Sequence, residues 1–205
     1  MINPGIEKEP MLLLDTTGSM SYPAEAGSTT SRKSVIREAI SIIVAKLADE
    51  DSQAEHEDDG GGLRTVTFAD GNAHDIGDLN PGNLTKKWNG IHWGGGTRIM
   101  PGFNLLLKTY TDEFGKKPQE ERPLLMALII TDGEADDTEA FAKTIAKSAG
   151  SLYAVLAIIG HGAEHDQAMR AYQQVEASNG HVKVLSFAGE TDPNVIADAL
   201  LRMIA

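Results

Sequence analysis

The chain has no cysteine. That removes disulfide scaffolds, thiol catalysis and thiolate metal sites together. Basic charge is also scarce: 18 Lys and Arg stand against 30 Asp and Glu, a net charge of -12. Nucleic acid and anionic membrane both reward basic surfaces, so neither is an expected partner. Apolar runs such as Leu124 to Ile130 fall far short of the ~20 residues that span a bilayer. Met1 to Pro10 holds two prolines, three charges and no apolar core, so it does not read as a signal peptide. Together with the missing cysteine, this sets a cytoplasmic expectation. No His pair has zinc-ligand spacing, and the order of residues yields no Ser-His-Asp arrangement.

What is present suits one domain over residues 1–205. Hydrophobic residues make up 41% of the chain, enough for a packed core, and 23% are charged. Met11 to Leu14, Leu124 to Ile130 and Leu152 to Ile159 are unbroken apolar runs. Unbroken runs indicate strands covered on both faces, as in a parallel sheet. Leu63 to Phe68 and Val182 to Phe187 alternate more and are expected nearer the sheet edges. His74 to Ile76 reads as a short strand paired back onto Leu63 to Phe68.

Between the strands the period becomes helical. One helix starts near Ser31 to Ser34 and presents Val35, Ile36, Ala39, Ile40, Ile43 and Leu47. A second carries Phe103, Leu106, Leu107 and Tyr110, with Pro101 in its first turn. A third carries Ala140, Phe141, Thr144 and Ile145 and stops near Gly150. A fourth carries Ala168, Met169, Tyr172 and Val175 and stops at Asn179-Gly180. The last carries Val195, Ile196, Ala199, Leu200 and Met203, with Asp192 as N-cap and Pro193 behind it. A short extra helix is expected within Asn80 to Lys87. Strands alternating with helices predict an α/β fold, a doubly wound, mostly parallel sheet with helices on both faces. The acidic stretch Ala48 to Gly62, with His56, Glu57, Asp58 and Asp59, reads as a solvated loop rather than a metal site.

Three short motifs carry the chemistry. Asp15-Thr16-Thr17-Gly18-Ser19-Met20 and Thr131-Asp132-Gly133-Glu134 each follow a buried strand, and Gly94-Gly95-Gly96-Thr97 follows a tryptophan-containing loop. In an open parallel sheet, ligands bind beyond the carboxyl ends of the strands. The hydroxyls of Thr17, Ser19 and Thr97 and the carboxylates of Asp15 and Asp132 form an all-oxygen set. Such a set suits Mg2+ or Mn2+ and serves zinc poorly. Ca2+ ranks lower because it usually takes more carboxylate and carbonyl oxygen.

This arrangement resembles the metal-ion-dependent adhesion site of the von Willebrand factor type A (vWA) family, in its Rossmann-like fold. The resemblance spans nearly the whole chain and rests on Asp15, Thr17, Ser19, Thr97 and Asp132. Thr17 stands where the family usually has Ser, so a methyl group crowds the site. The resemblance implies that Thr17 and Ser19 bind the ion directly and Asp15 acts through water. It further implies that Thr97 and Asp132 differ in distance between two states. A partner protein's Asp or Glu then completes the shell, which makes the chain a metal-dependent protein-binding module and not an enzyme. A setting in a larger intracellular assembly fits equally. In integrin-type relatives the last helix shifts with the metal's coordination, and sparse anchoring of Asp192 to Ala205 would permit the same here.

The alternative is a Mg2+-dependent phosphohydrolase of the haloacid dehalogenase type. That family uses Asp-x-Asp-x-Thr, and Thr17 here cannot replace the second Asp as acid or base. Outside the main set, Tyr22, Pro23, His92 and Trp93 are candidates for the partner surface, Trp93 equally for packing. His161 reads as a loop residue. Glu134, Asp136 and Asp137 read as solvated acids at a helix start rather than a second cation site.

Overall fold

The unbroken apolar runs are strands buried on both faces. In the computed structural model, which describes residues 7–51, 62–147 and 151–205, the elements run β1 (Lys8–Asp15), α1 (Arg32–Asp51), β2 (Leu63–Ala69), β3 (Asn72–Leu79), α2 (Leu84–Asn89), α3 (Met100–Phe114), β4 (Leu124–Thr131), α4 (Thr138–Lys147), β5 (Leu152–Gly160), α5 (Gly162–Ser178), β6 (Val182–Ala188) and α6 (Pro193–Ile204). The sheet order is β3-β2-β1-β4-β5-β6. All neighbours are parallel except β2 and β3, which form an antiparallel hairpin.

Side chains alternate across the sheet with the period of two that strand geometry imposes. Leu12, Leu14, Leu128 and Ile130 face α1 and α6. Met11, Leu13, Ile129 and Leu156 face α3, α4 and α5. The order in which strands are added to the sheet reverses between β1 and β4, although the two strands themselves run parallel. The connections leave these two strands toward opposite edges, opening a crevice at their carboxyl ends.

Several expectations need correction. The strand expected at His74 to Ile76 spans Asn72–Leu79, because Asp70 takes a positive φ of 55° and closes a tight turn onto β2. The short helix lies at Leu84–Asn89, since Asn80 and Asn83 use their side chains on nearby backbone N–H groups and form the turn before it. The first strand begins earlier than expected and includes Pro10. Its pairing with β2 starts only at Met11, so the N–H that proline lacks faces no ladder there. The last helix is firmly held. Ile196, Ala197 and Leu200 are fully buried, and Lys8 Nζ donates to Ile204 O and Ala205 O at 3.0 and 2.7 Å. Asp192 caps it as expected, accepting from Asn194 N at 2.9 Å. His56, Glu57, Asp58, Asp59 and Gly150 lie outside the described residues.

Two consequences can be measured. A methyl group on Gly102 would lie 2.6 Å from Phe68 Cβ and 2.8 Å from Leu13 Cδ1, because α3 rides directly on β1 and β2. Gly102→Ala is expected to cost about 1–3 kcal/mol, read as a lower urea midpoint at unchanged slope. At the other end of β1, burial pushes the Glu9 carboxyl from 4.5 to about 7; Glu113, Glu7 and Asp78 push the same way, and Lys117 opposes them. Between those pH values the folded state keeps a proton that the unfolded chain has lost, so stability falls as pH rises through the window. Glu9→Gln should therefore match the wild type in thermal melts below pH 4.5 and exceed it above pH 7.

Candidate metal centre

Strands β1 and β4 pair in parallel up to Leu14 and Ile130, so the chain delivers Asp15 beside Thr131, with Asp132 next in line. Asp15 is completely buried. Its Oδ1 accepts from Thr17 N at 2.8 Å and its Oδ2 from Thr131 Oγ1 at 2.6 Å. Asp132 is 2% exposed. Its Oδ1 accepts from Ser19 Oγ at 2.9 Å and its Oδ2 from Arg32 Nη1 at 2.7 Å. The hydroxyls of Thr17 and Ser19 lie 3.1 Å apart. A short 3-10 turn over Gly18–Ser21 aims them at this point, and fully buried Met20 pins that turn to the core.

The glycine loop is stitched to both neighbours. Gly94 N donates to Thr16 O at 2.9 Å, Gly18 N to Gly95 O at 3.5 Å, and Asp70 N to Gly96 O at 2.6 Å. Gly95 has a φ of +86°, and a Cβ there would sit 3.1 Å from Asp70 Cβ, so this approach requires glycine. The loop brings Thr97 to the β4 side. Its Oγ1 lies 3.7 Å from where a Gly133 Cβ would be, and its carbonyl accepts from Asp136 N at 3.2 Å.

Burial pushes the Asp15 carboxyl above its ordinary range, and the Asp132 charge pushes the same way; hydrogen bonds from Thr131 and Thr17 pull it back. Arg32, itself 3% exposed, supplies the positive charge against Asp132. Among the described residues no group of three or more His, Asp or Glu forms a cluster able to hold a metal ion. A site here depends on hydroxyl oxygens. Mg2+ binds oxygen at 2.0–2.1 Å in an octahedron, which sets adjacent ligands about 2.9 Å apart. The spacings of 3.1 Å for Thr17–Ser19 and 2.9 Å for Ser19–Asp132 match such edges. The same spacings are ordinary hydrogen bonds, so a bound ion would replace internal bonds without rebuilding the backbone.

The surrounding residues sort differently from expectation. Asp137 is no solvated acid: its two oxygens accept from Ile99 N and Met100 N at 2.9 and 3.0 Å, satisfying free N–H groups at the start of α3. Glu134 accepts from Gln167 Nε2 at 2.8 Å, and Asp136 is exposed. Trp93 is half-buried with its ring centroid 5.2 Å from Trp88, and Lys33 Nζ lies 5.4 Å from it, so packing is its visible role. His92 is exposed and lines a cleft of about 440 Å3 with Thr16, Asp70, His74 and the glycine loop. Tyr22, 56% exposed, lines a second cleft of about 430 Å3 with Pro23, Arg32, His161 and Glu164. Sequence reading missed Arg32 and gave no separate role to Thr131 or Met20, although both stand in the motifs. Arg32 had one visible sign: it falls three and four residues before Val35 and Ile36, in line with the apolar stripe of α1.

No family model and no curated protein matches the sequence. Solved structures do match the fold. The PilB minor pilin from Streptococcus sanguinis superposes with a TM-score of 0.70 at 12% identity, covering 100% of this chain and 63% of the pilin chain. The chain thus spans under two thirds of the pilin's length. The VWA domain of SpRpn10 gives 0.65 at 10% identity, covering 96% of this chain and 95% of that one. Proximal thread matrix protein 1 from the mussel byssus, with a zinc-occupied MIDAS motif, gives 0.58 at 15% identity, covering 97% and 46%. A six-stranded, mostly parallel sheet with helices on both faces and this strand order identifies the chain as having the fold of a von Willebrand factor type A domain.

Proposed function

We propose that this chain is a protein-binding module whose partner docks at the carboxyl edge of the sheet through a divalent ion. Asp15, Thr17, Ser19, Thr97 and Asp132 would hold the ion, with Mg2+ or Mn2+ the best chemical match and Ca2+ a poorer one. Once bound, the ion supplies an electrophilic point for an Asp or Glu side chain of the partner. The observation that carries this reading is the convergence of the Thr17 and Ser19 oxygens from the loop after β1 and the Asp132 oxygen from the loop after β4, at spacings of 3.1 and 2.9 Å. The two clefts on either side leave room for the residues that flank the partner's acid. Among solved structures with this fold, a MIDAS motif occupied by a metal in the byssus protein, there zinc, supports a metal site at this edge but not the choice of ion, and a pilus-tip vWF domain has the same fold.

Binding rather than chemistry is favoured by the state of Asp15. A phosphoryl-accepting aspartate must present an oxygen to substrate at the surface of the site, and burial removes that access. Asp15 is fully buried with both oxygens engaged, by Thr17 N and Thr131 Oγ1. That weighs against the haloacid dehalogenase reading. Among the described residues no helix is long and apolar enough to cross a membrane. An intracellular setting, alone or in a larger assembly, is part of the proposal and draws on the cysteine-free composition.

Calorimetric titration with Mg2+ tests the site. Saturable binding is expected, with Ser19→Ala at least tenfold weaker. The same substitution removes two half-buried hydrogen bonds, to Thr17 and to the Asp132 carboxylate, costing roughly 2–4 kcal/mol, so its melting temperature should drop by about 5–15 degrees while the protein still folds. Capture of acidic peptides from a displayed library should require Mg2+, vanish with EDTA and vanish in Ser19→Ala. Equal Mg2+ binding by both proteins would overturn the ligand assignment.

A further inference from the structure

Arg32 is an expensive residue to keep where it is. It opens α1, so its charge sits at the positive end of that helix dipole. Its side chain is 4% exposed and that of Asp132 1%, and the pair closes at 2.7 Å. Burying an ion pair costs much of what its attraction returns. Its Nε has no hydrogen-bond partner. Room for it is built in: Gly160 has a φ of +92°, and a Cβ there would lie 2.9 Å from both Cζ and Nε of the guanidinium. The Tyr22 ring closes over the outer side at 5.9 Å. Glu164, the other nearby acid, is 3.9 Å away and its side chain is 68% exposed, so solvent screens it. Asp132 is therefore the group this guanidinium serves.

Charge counting gives the consequence. With both aspartates ionised, Asp15, Asp132 and Arg32 carry one net negative charge. A divalent ion converts that to one net positive charge, and a single outside carboxylate brings it to zero. Without the guanidinium the ion alone would balance the two aspartates, and no outside anion would be called for. Arginine stays protonated in proteins, so this positive charge is permanent.

We propose that Arg32 is a tethered cation that competes with the divalent ion for Asp132, weakening the ion's hold and creating the site's demand for a partner carboxylate. This rests on the metal-site reading above. The pairing leaves Asp132 Oδ1 with Ser19 and withdraws Oδ2 toward Arg32. Metal and partner then bind cooperatively: the ion alone is held weakly, and the partner's acid completes the charge balance.

The test compares the wild type, Arg32→Gln and Arg32→Lys by calorimetry with Mg2+ alone, and by thermal melts with and without Mg2+. Arg32→Gln should bind Mg2+ at least tenfold more tightly. It should melt lower than the wild type without metal, because two buried carboxylates then lack their counter-charge, and show the larger Mg2+-induced rise. Arg32→Lys keeps the charge and should stay within about threefold of the wild type. Should Arg32→Gln not fold, the wild type still answers. The guanidinium NMR signal missing from the Arg32→Lys spectrum should shift on Mg2+ saturation. Equal or weaker Mg2+ binding by Arg32→Gln, or an unmoved guanidinium signal at saturation, overturns the role of Arg32 and leaves the metal site standing. Absence of Mg2+ binding by both the wild type and Arg32→Gln overturns the metal-site reading itself.

Discussion

Two carboxylates are buried side by side where the central ladder ends. The β1–β4 register runs unbroken from Lys8 and Leu124 to Leu14 and Ile130, and it leaves no freedom in where Asp15 and Asp132 emerge. Like charges this close in a dry environment repel, and each loses its hydration. The surrounding architecture answers that cost. Asp15 takes one backbone and one hydroxyl donor, and Asp132 takes a hydroxyl and a guanidinium. The Gly18–Ser21 turn and the first residue of α1 supply the two side-chain donors to Asp132.

Much of this was legible in the chain because it depends on local rules. Unbroken apolar runs mark strands covered on both faces, and β4 is buried at all eight positions. Asp192 before Pro193 marks a helix start that needs no tertiary context. That Asp15 and Asp132 emerge at one edge of the sheet was legible because strand ends in a doubly wound sheet fall at predictable places. Ser19 lies within hydrogen-bond distance of Thr17 and of Asp132, while Thr97 is placed by its neighbours Gly133 and Asp136.

The features that escaped are those whose partners lie far away in sequence. Arg32 and Asp132 are separated by 100 positions. Nothing near Arg32 distinguishes it from a solvated helix-start base except its alignment with an apolar stripe. Asp137 looks like a first-turn acid for α4, yet it serves the N-terminus of α3 from 37 and 38 positions away. Glu9 reads as a polar residue at a strand start, and only the assembled sheet reveals Glu113 and Asp78 around it. Local propensity decides element type well, but charge partnerships are a property of the packed molecule.

The outer hairpin strand has a further consequence. β3 is one of the sheet's two edges, and an unpaired strand edge is a template for other chains. Here it carries Asp75 and Asp78, both paired to Arg64 on β2, and its register with β2 slips between Thr65 and Val66, passing over Ile76. Charge and bulge together bend the edge away from a flat, pairable line. Growth of the sheet from the β3 rim is thereby discouraged, because a second copy finds no straight, uncharged strand there to pair with.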